Sequence, residues 1–201
     1  MTNQLRWELH DLWPGWNPSR SRMARLPTQQ RIAERLAIAQ PTIRVLIARD
    51  LIDEIQRLTR QINELHEQIA ERVSQVAPQL LAERGLGVIT AAKLIGEIAG
   101  IDRFTSDAQL ARFAGCAPVP VSSGRTDRYR LDRGGNRQLN HAIHMLALSR
   151  LRHDPQTAVY IAKQRQRGKT QREAIRNLKR HLVRRIYTLL RDPNTLPITL
   201  T

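Results

Sequence analysis

The chain has 201 residues, with 33 Lys and Arg against 18 Asp and Glu and a formal net charge of +15. That length supports one domain, or a small domain with an extended arm, and a core that needs no metal or disulfide staple. Cys116 is the one cysteine, which excludes an intrachain disulfide and fits a reducing compartment. Charges interrupt every apolar run short of the ~18 residues a membrane span needs. The first residues, Met1-Thr-Asn-Gln-Leu-Arg-Trp-Glu, carry no secretory h-region. A basic cytoplasmic protein with no membrane partner is expected, and its natural acidic partner is nucleic acid.

The charge is local. Residues 1–119 carry 15 basic and 13 acidic side chains, whereas residues 120–191 carry 18 and 4. A merely solubilising surface mixes signs, so the last third favours a polyanion partner.

Residues 1–10 read as a short helix, ending at Leu12-Trp-Pro-Gly-Trp-Asn-Pro18, where Trp13 and Trp16 indicate a docked linker. A second helix is predicted over about 28–39 with Thr28 as N-cap. One long helix follows over 42–76. In it Leu51, Leu58 and Leu65 fall at d, and Ile55, Ile62 and Ile69 at a. A helix in a monomeric bundle shows the same stripe over this length. The regular Ile/Leu alternation favours a two-stranded coiled coil and a homo-oligomer.

Pro78 breaks that helix. Residues 79–100 then give a helix, a Gly85-Leu-Gly87 turn and a second helix with Thr90 near its start. This resembles a helix-hairpin-helix, in which glycines let backbone approach a phosphate and N–H groups at the helix start donate to it. Lys93 lies one turn further in; ordinary helix packing also uses such a turn. Asp107 to Ala114 forms a short helix capped by Ser106 or Asp107. Pro118, Pro120 and Gly124 exclude helix from Cys116 to Leu131, which reads as an extended segment, a Ser-Ser-Gly turn and a short return strand.

Asn136 caps the next helix, and Pro155 opens another over about 155–166. Thr170-Gln-Arg-Glu173 has the spacing of a capping box. Behind it Ile175, Leu178, Leu182, Ile186 and Leu189 face a core, while Arg172, Arg176, Arg180 and Arg184 form a row suited to a phosphate backbone. Gly168-Lys-Thr170 is no P-loop, since position 163 is Lys where that motif needs Gly. His141 and His144 lack a third ligand at recognised spacing, so no metal or other cofactor is expected in this chain.

Ser122-Ser123-Gly124 is followed by Arg125, Arg128, Arg130 and Arg133, with Arg137 just beyond. A serine among arginines can attack a phosphodiester while guanidiniums stabilise the developing charge. Such turns are also simply turns.

Four blocks then carry a resemblance: Gly85-Leu-Gly-Val-Ile-Thr-Ala-Ala-Lys-Leu94, Phe113-Ala-Gly-Cys-Ala-Pro-Val-Pro-Val-Ser-Ser-Gly124, Arg130-Leu-Asp-Arg-Gly-Gly-Asn-Arg-Gln-Leu-Asn140 and Gly168-Lys-Thr-Gln-Arg-Glu-Ala174. In order and spacing, residues 79–185 resemble the C-terminal transposase domain of the IS110 (IS116/IS110/IS902) insertion-sequence family. The resemblance implies a recombinase of DNA transposition, with DNA and a bridge RNA as partners. It also implies a nucleophilic serine matched to Ser123, with Ser122 as alternative.

Leu5-Arg-Trp-Glu-Leu-His10 resembles the end of the family's RuvC-like first domain, and 42–76 its coiled coil. The acids of that first domain, and the Mg2+ they hold, are then missing here. A truncated enzyme, inactive alone, is the resulting expectation; the alternative is a non-catalytic nucleic-acid-binding or dimerising remnant that modulates full-length relatives. The expected fold is mainly α, a long coiled-coil helix followed by a compact helical domain with the helix-hairpin-helix and a β-hairpin-like serine turn. Its segments are 1–41, an N-terminal helix and linker left from the junction to the missing domain, 42–76, the dimerisation helix, 77–192, the transposase domain, and 193–201, a tail.

Overall fold

The apolar stripes sort into two cores, each belonging to its own compact unit, Met1–Gln68 and Ile69 onward. The computed structural model describes residues 1–123, 126–130 and 134–192, with residues 120–123 and 126–130 described by backbone alone. The tail at 193–201 lies outside the described residues. The fold is mainly α.

In the first unit, helix α1 (Thr2–Leu12) turns Leu5 and Leu9 inward. A single helical turn, α2 (Arg20–Met23), buries Met23, and α3 (Leu26–Ala37) buries Gln29, Ile32 and Leu36. Thr28 is not the N-cap of α3. Pro27 sits in its first turn, where a missing N–H costs nothing, and Arg25 occupies the cap position without a side-chain bond. Helix α4 (Ile43–Val76) completes this core with Val45, Ala48, Ile52 and Ile55.

Polar groups lock the unit. Gln29 Nε2 donates to Met23 O and to Thr59 Oγ1, both at 3.0 Å. Arg49 Nη2 donates to Leu36 O at 2.7 Å and so satisfies a carbonyl at the end of α3. Arg44 pairs with Asp11 at 2.6 Å and Glu8 at 3.2 Å. Trp13 and Trp16 meet edge to face at 5.7 Å, and the Arg35 guanidinium covers both rings at 4.3 and 4.6 Å.

Of the predicted a/d seam on α4, Ile55 is thus turned into the chain's own core and Leu51 packs partly against it. Ile62 and Leu65 are exposed, at 64% and 51%, and Ile69 packs on the second core.

The second unit runs through α5 (Pro78–Ala82), α6 (Val88–Ile98), a 3-10 turn (Ile101–Arg103) and α7 (Asp107–Phe113). It continues through strands β1 (Val119–Ser123) and β2 (Thr126–Arg130), then α8 (Arg137–His153), α9 (Pro155–Gln166) and α10 (Gln171–Arg191). Helix α10 packs on α5, α7, α8 and α9, and α8 packs on α6. Leu80, Leu94, Ile98, Leu110, Leu139, Ile143, Leu146, Leu178, Leu182 and Ile186 fill the core between them.

Local chemistry sets the helix starts. The Thr170–Glu173 capping box is complete: Thr170 N–H donates to Glu173 Oε2 at 2.8 Å, and Glu173 N–H donates to Thr170 Oγ1 at 3.3 Å. Asn136 Oδ1 accepts from Leu139 N–H at 3.0 Å, and Ser106 Oγ from Gln109 N–H at 3.3 Å.

Candidate nucleic-acid interface and serine hairpin

Between α5 and α6 the two glycines have different tasks. Gly85 has φ +83° and lies against α8, where an added Cβ would meet Arg150 Cγ at 2.7 Å and Arg150 N at 3.3 Å. Its missing side chain therefore serves packing. Gly87 begins α6 from an extended conformation, is exposed, and has nothing within 4 Å of a would-be Cβ. Thr90 is half-buried and Lys93 exposed one turn further on.

The turn before α6 is held by charges far apart in sequence. Glu83 accepts from Arg150 Nη1 at 2.9 Å and Arg185 Nε at 2.8 Å. Asp154 accepts from Arg150 Nη2 and Arg84 Nη1, both at 3.2 Å, and from the Thr157 hydroxyl at 2.6 Å. Burial alone would raise the Asp154 pKa, but the Thr157 hydroxyl and the Arg150 and Arg84 guanidiniums outweigh it and hold the carboxyl below its usual range. Charged side chains at such separations have no local signature.

The serine hairpin springs from a closed neck. β1 and β2 pair antiparallel with Ser122 opposite Asp127 and Ser123 opposite Thr126, so Ser123 is the last residue of β1. The side chains of Ser122, Ser123, Arg128 and Arg130, and all of Arg125 and Arg133, lie outside the described residues. Below the hairpin, Asn136 N–H donates to Phe113 O at 2.7 Å. Asn140 Nδ2 donates to Ala114 O at 2.7 Å and Gly115 O at 3.1 Å.

The buried Lys179 ammonium donates to Asn140 Oδ1 at 2.6 Å. Asn136 Nδ2 reaches Glu97 Oε2 on α6 at 2.7 Å. A Cβ on Gly135 would meet Gly115 N at 2.2 Å, so the two backbones touch and only glycine fits. Burial pushes the Lys179 pKa down, against the nearby Cys116 thiol, and pushes that thiol up.

The arginine row on α10 is only partly free. Asp107 takes Arg180 at 2.7 Å and Arg184 at 3.4 Å, which fastens α7 to α10. Burial works against the Asp107 carboxylate, and the bonds from Arg180 and Arg184 overcome it and lower its pKa. Arg176 lies 3.8 Å from Glu173, and Arg172 is exposed. An open positive surface lies at the α9–α10 corner, where Lys163, Arg165, Arg167 and Lys169 are exposed beside Arg172. Their alternation in Lys163-Gln-Arg-Gln-Arg-Gly-Lys169 was the available signal. Arg137 is exposed at the start of α8.

Among the described residues, no group of three or more His, Cys, Asp or Glu is placed to hold a metal ion. No described helix is long and apolar enough to cross a membrane.

Residues 77–162 match the model of the Transposase IS116/IS110/IS902 family. This segment is a transposase domain of that family. The chain is 32% identical over 182 residues to the insertion element IS110 uncharacterized 43.6 kDa protein of Streptomyces coelicolor, an alignment covering 83% of this chain and 45% of the relative. It is 32% identical over 146 residues to the insertion element IS900 uncharacterized 42 kDa protein of Mycobacterium paratuberculosis, with 71% and 37% covered. The IS116 uncharacterized 44.8 kDa protein of Streptomyces clavuligerus is 27% identical over 146 residues, with the same coverage. The chain therefore spans less than half the length of these curated relatives. The IS116/IS110/IS902 match begins at the turn into α5 and ends within α9, so it contains the Gly85–Gly87 turn, the serine hairpin and its neck.

Proposed function

We propose that the chain is the DNA-gripping and serine-bearing portion of an IS110-type transposase. The observation that carries this reading is the position of Ser123 at the end of a strand whose root is clamped by Asn136 and Asn140 within the family-matched segment, with Lys179 of α10 holding Asn140 from outside it. In the proposed reaction the Ser123 hydroxyl attacks a DNA phosphorus. The Oγ–P bond forms as the P–O bond to one deoxyribose breaks; the hydroxyl proton leaves to solvent and the departing oxygen takes one up. Ser122 is the alternative nucleophile. Gly87 N–H with Lys93, the hairpin arginines 125, 128, 130 and 133, Arg137 and the α9–α10 corner are the proposed phosphate contacts.

Binding, rather than complete strand exchange, is the activity proposed for the 201 residues alone. Bridge RNA, homo-oligomerisation and residence in the cytoplasm belong to the same proposal.

Covalent trapping on a nicked duplex tests the nucleophile. A phosphoserine adduct lost in Ser123→Ala and retained in Ser122→Ala supports Ser123. Trapping and binding that are both unchanged in Ser123→Ala overturn it. A slope of log affinity against log salt near zero would contradict phosphate neutralisation, since each duplex contact contributes about −0.9.

A second reading, association through α4 that modulates full-length relatives, is favoured by the bare Ile62 and Leu65. Light scattering on Ile62→Asp/Leu65→Asp tests it: a monomeric mass where the parent chain is dimeric supports the reading, and a parent chain already monomeric at micromolar concentration sinks it.

A further inference from the structure

The charge excess of the last third draws attention away from residues 1–41, which hold six arginines against three acids. Two of those acids, Glu8 and Asp11, are occupied by Arg44. The arginines are not dispersed. Arg22, Arg25 and Arg31 line one open cavity of about 500 Å3 with Trp16, Asn17 and Thr28. All three are exposed, and none forms an ion pair among the described residues. Three guanidiniums converging on a cavity with no acid repel one another, an arrangement that an anion relieves.

Asn17 also lines a second cavity, of about 420 Å3, with Asn3, Arg6, Trp7 and His10. Arg6 Nε donates to Asn17 Oδ1 at 3.1 Å, so the two cavities share a wall. Helix α1 turns Leu5 and Leu9 inward and leaves Trp7 70% exposed. An indole presented to water beside arginine, histidine and two asparagines is a stacking surface with hydrogen-bonding neighbours. Adjacent to it is the cavity lined by Arg22, Arg25 and Arg31.

We propose that the first unit carries a site for single-stranded nucleic acid, with backbone phosphates held by Arg22, Arg25 and Arg31 and an unstacked base laid on Trp7. A duplex hides its base faces within its own stack, whereas a single strand can offer a base to an aromatic ring and its phosphates to a basic cavity. Its residues belong to the first unit, whereas the serine hairpin and the α9–α10 corner belong to the second. It draws on residues outside the family-matched segment 77–162.

The test uses the full 201-residue chain and fluorescence anisotropy with labelled oligo-dT and oligo-U of about twelve nucleotides, within the range a single module covers, and a duplex of equal length. Arg22→Ala/Arg25→Ala/Arg31→Ala is expected to weaken single-strand binding at least tenfold and to reduce its salt slope by about 2, for three contacts at about 0.7 each. Trp7→Ala is expected to weaken it about tenfold, the worth of one stacked base. Duplex affinity stays at the parent value in both, and melting is unchanged because none of these side chains holds the fold.

Such a loss with either oligonucleotide supports the site, and the tighter of the two assigns it to DNA or RNA. Single-strand affinity and slope equal to the parent's overturn it. So does an equal loss on duplex, or displacement of the oligonucleotide by polyglutamate at equal charge concentration, either of which marks a general positive field. Photocrosslinking of an iodouracil oligonucleotide, mapped to Trp7 or Trp16, supports the site independently; crosslinks confined to the second unit overturn it.

Discussion

Helices α4 and α10 both carry regular apolar stripes beside charged faces, and their surroundings differ completely. α10 buries Leu178, Leu182, Val183, Ile186 and Leu189 among α5, α7, α8 and α9. α4 buries Val45, Ala48, Ile52 and Ile55 near one end and Val73 near the other, while every residue from Arg60 to Gln68 is exposed, Ile62 and Leu65 included. A 3.6-residue period records that a face is apolar. What covers the face is decided by elements elsewhere in the chain.

The largest expected effects lie on the enclosed helix and on the carboxylate that holds it, Glu83 after α5. Glu83→Gln leaves Arg150 and Arg185 buried with a weakened partner, and should cost the second unit about 3–5 kcal/mol in urea unfolding. Replacing Leu182, 2% exposed, by Ala should cost about 2–5 kcal/mol through lost burial and a cavity. If either variant unfolds at the parent midpoint, α10 is not the enclosed element described above.

Acid adds a third test. The Asp154 pKa is lowered in the fold, so its stabilisation is fully present above the unfolded carboxylate pKa and is lost as pH falls through the folded one. Asp154→Asn should therefore lower stability at neutral pH and flatten its decline in acid.

Thr170→Ala removes one half of the capping box at an exposed helix start and should cost about 1 kcal/mol. Smallest is Leu65→Ser on α4, expected to change stability by less than about 0.5 kcal/mol, as for other exposed sites. A large loss there, in a chain shown to be monomeric, would mean that α4 is covered by its own chain after all.

These contrasts mark what was legible from residues alone. The Thr170 box, the Asn136 cap and the strand pair around Ser122 and Ser123 are local, since their partners lie within a few residues. The closure of the neck was not legible, although both glycines and Asn140 were in view. It needs Asn140 to reach carbonyls 25 and 26 residues back and Lys179 to reach Asn140 across 39. The pairing of the arginine row was not legible for the same reason, because Asp107 lies 77 residues from Arg184 and takes Arg180 as well. The α9–α10 corner is legible as a basic run, Lys163-Gln-Arg-Gln-Arg-Gly-Lys169.

The touching backbones of Gly115 and Gly135 have one more consequence. The points where the chain leaves the helical body and rejoins it touch each other, like the two ends of a handle held by one bolt. A segment of different length or composition could be grafted between those two glycines while the bolt, and the helices beneath it, stay as they are. A domain built this way can exchange that piece and leave its helical core alone.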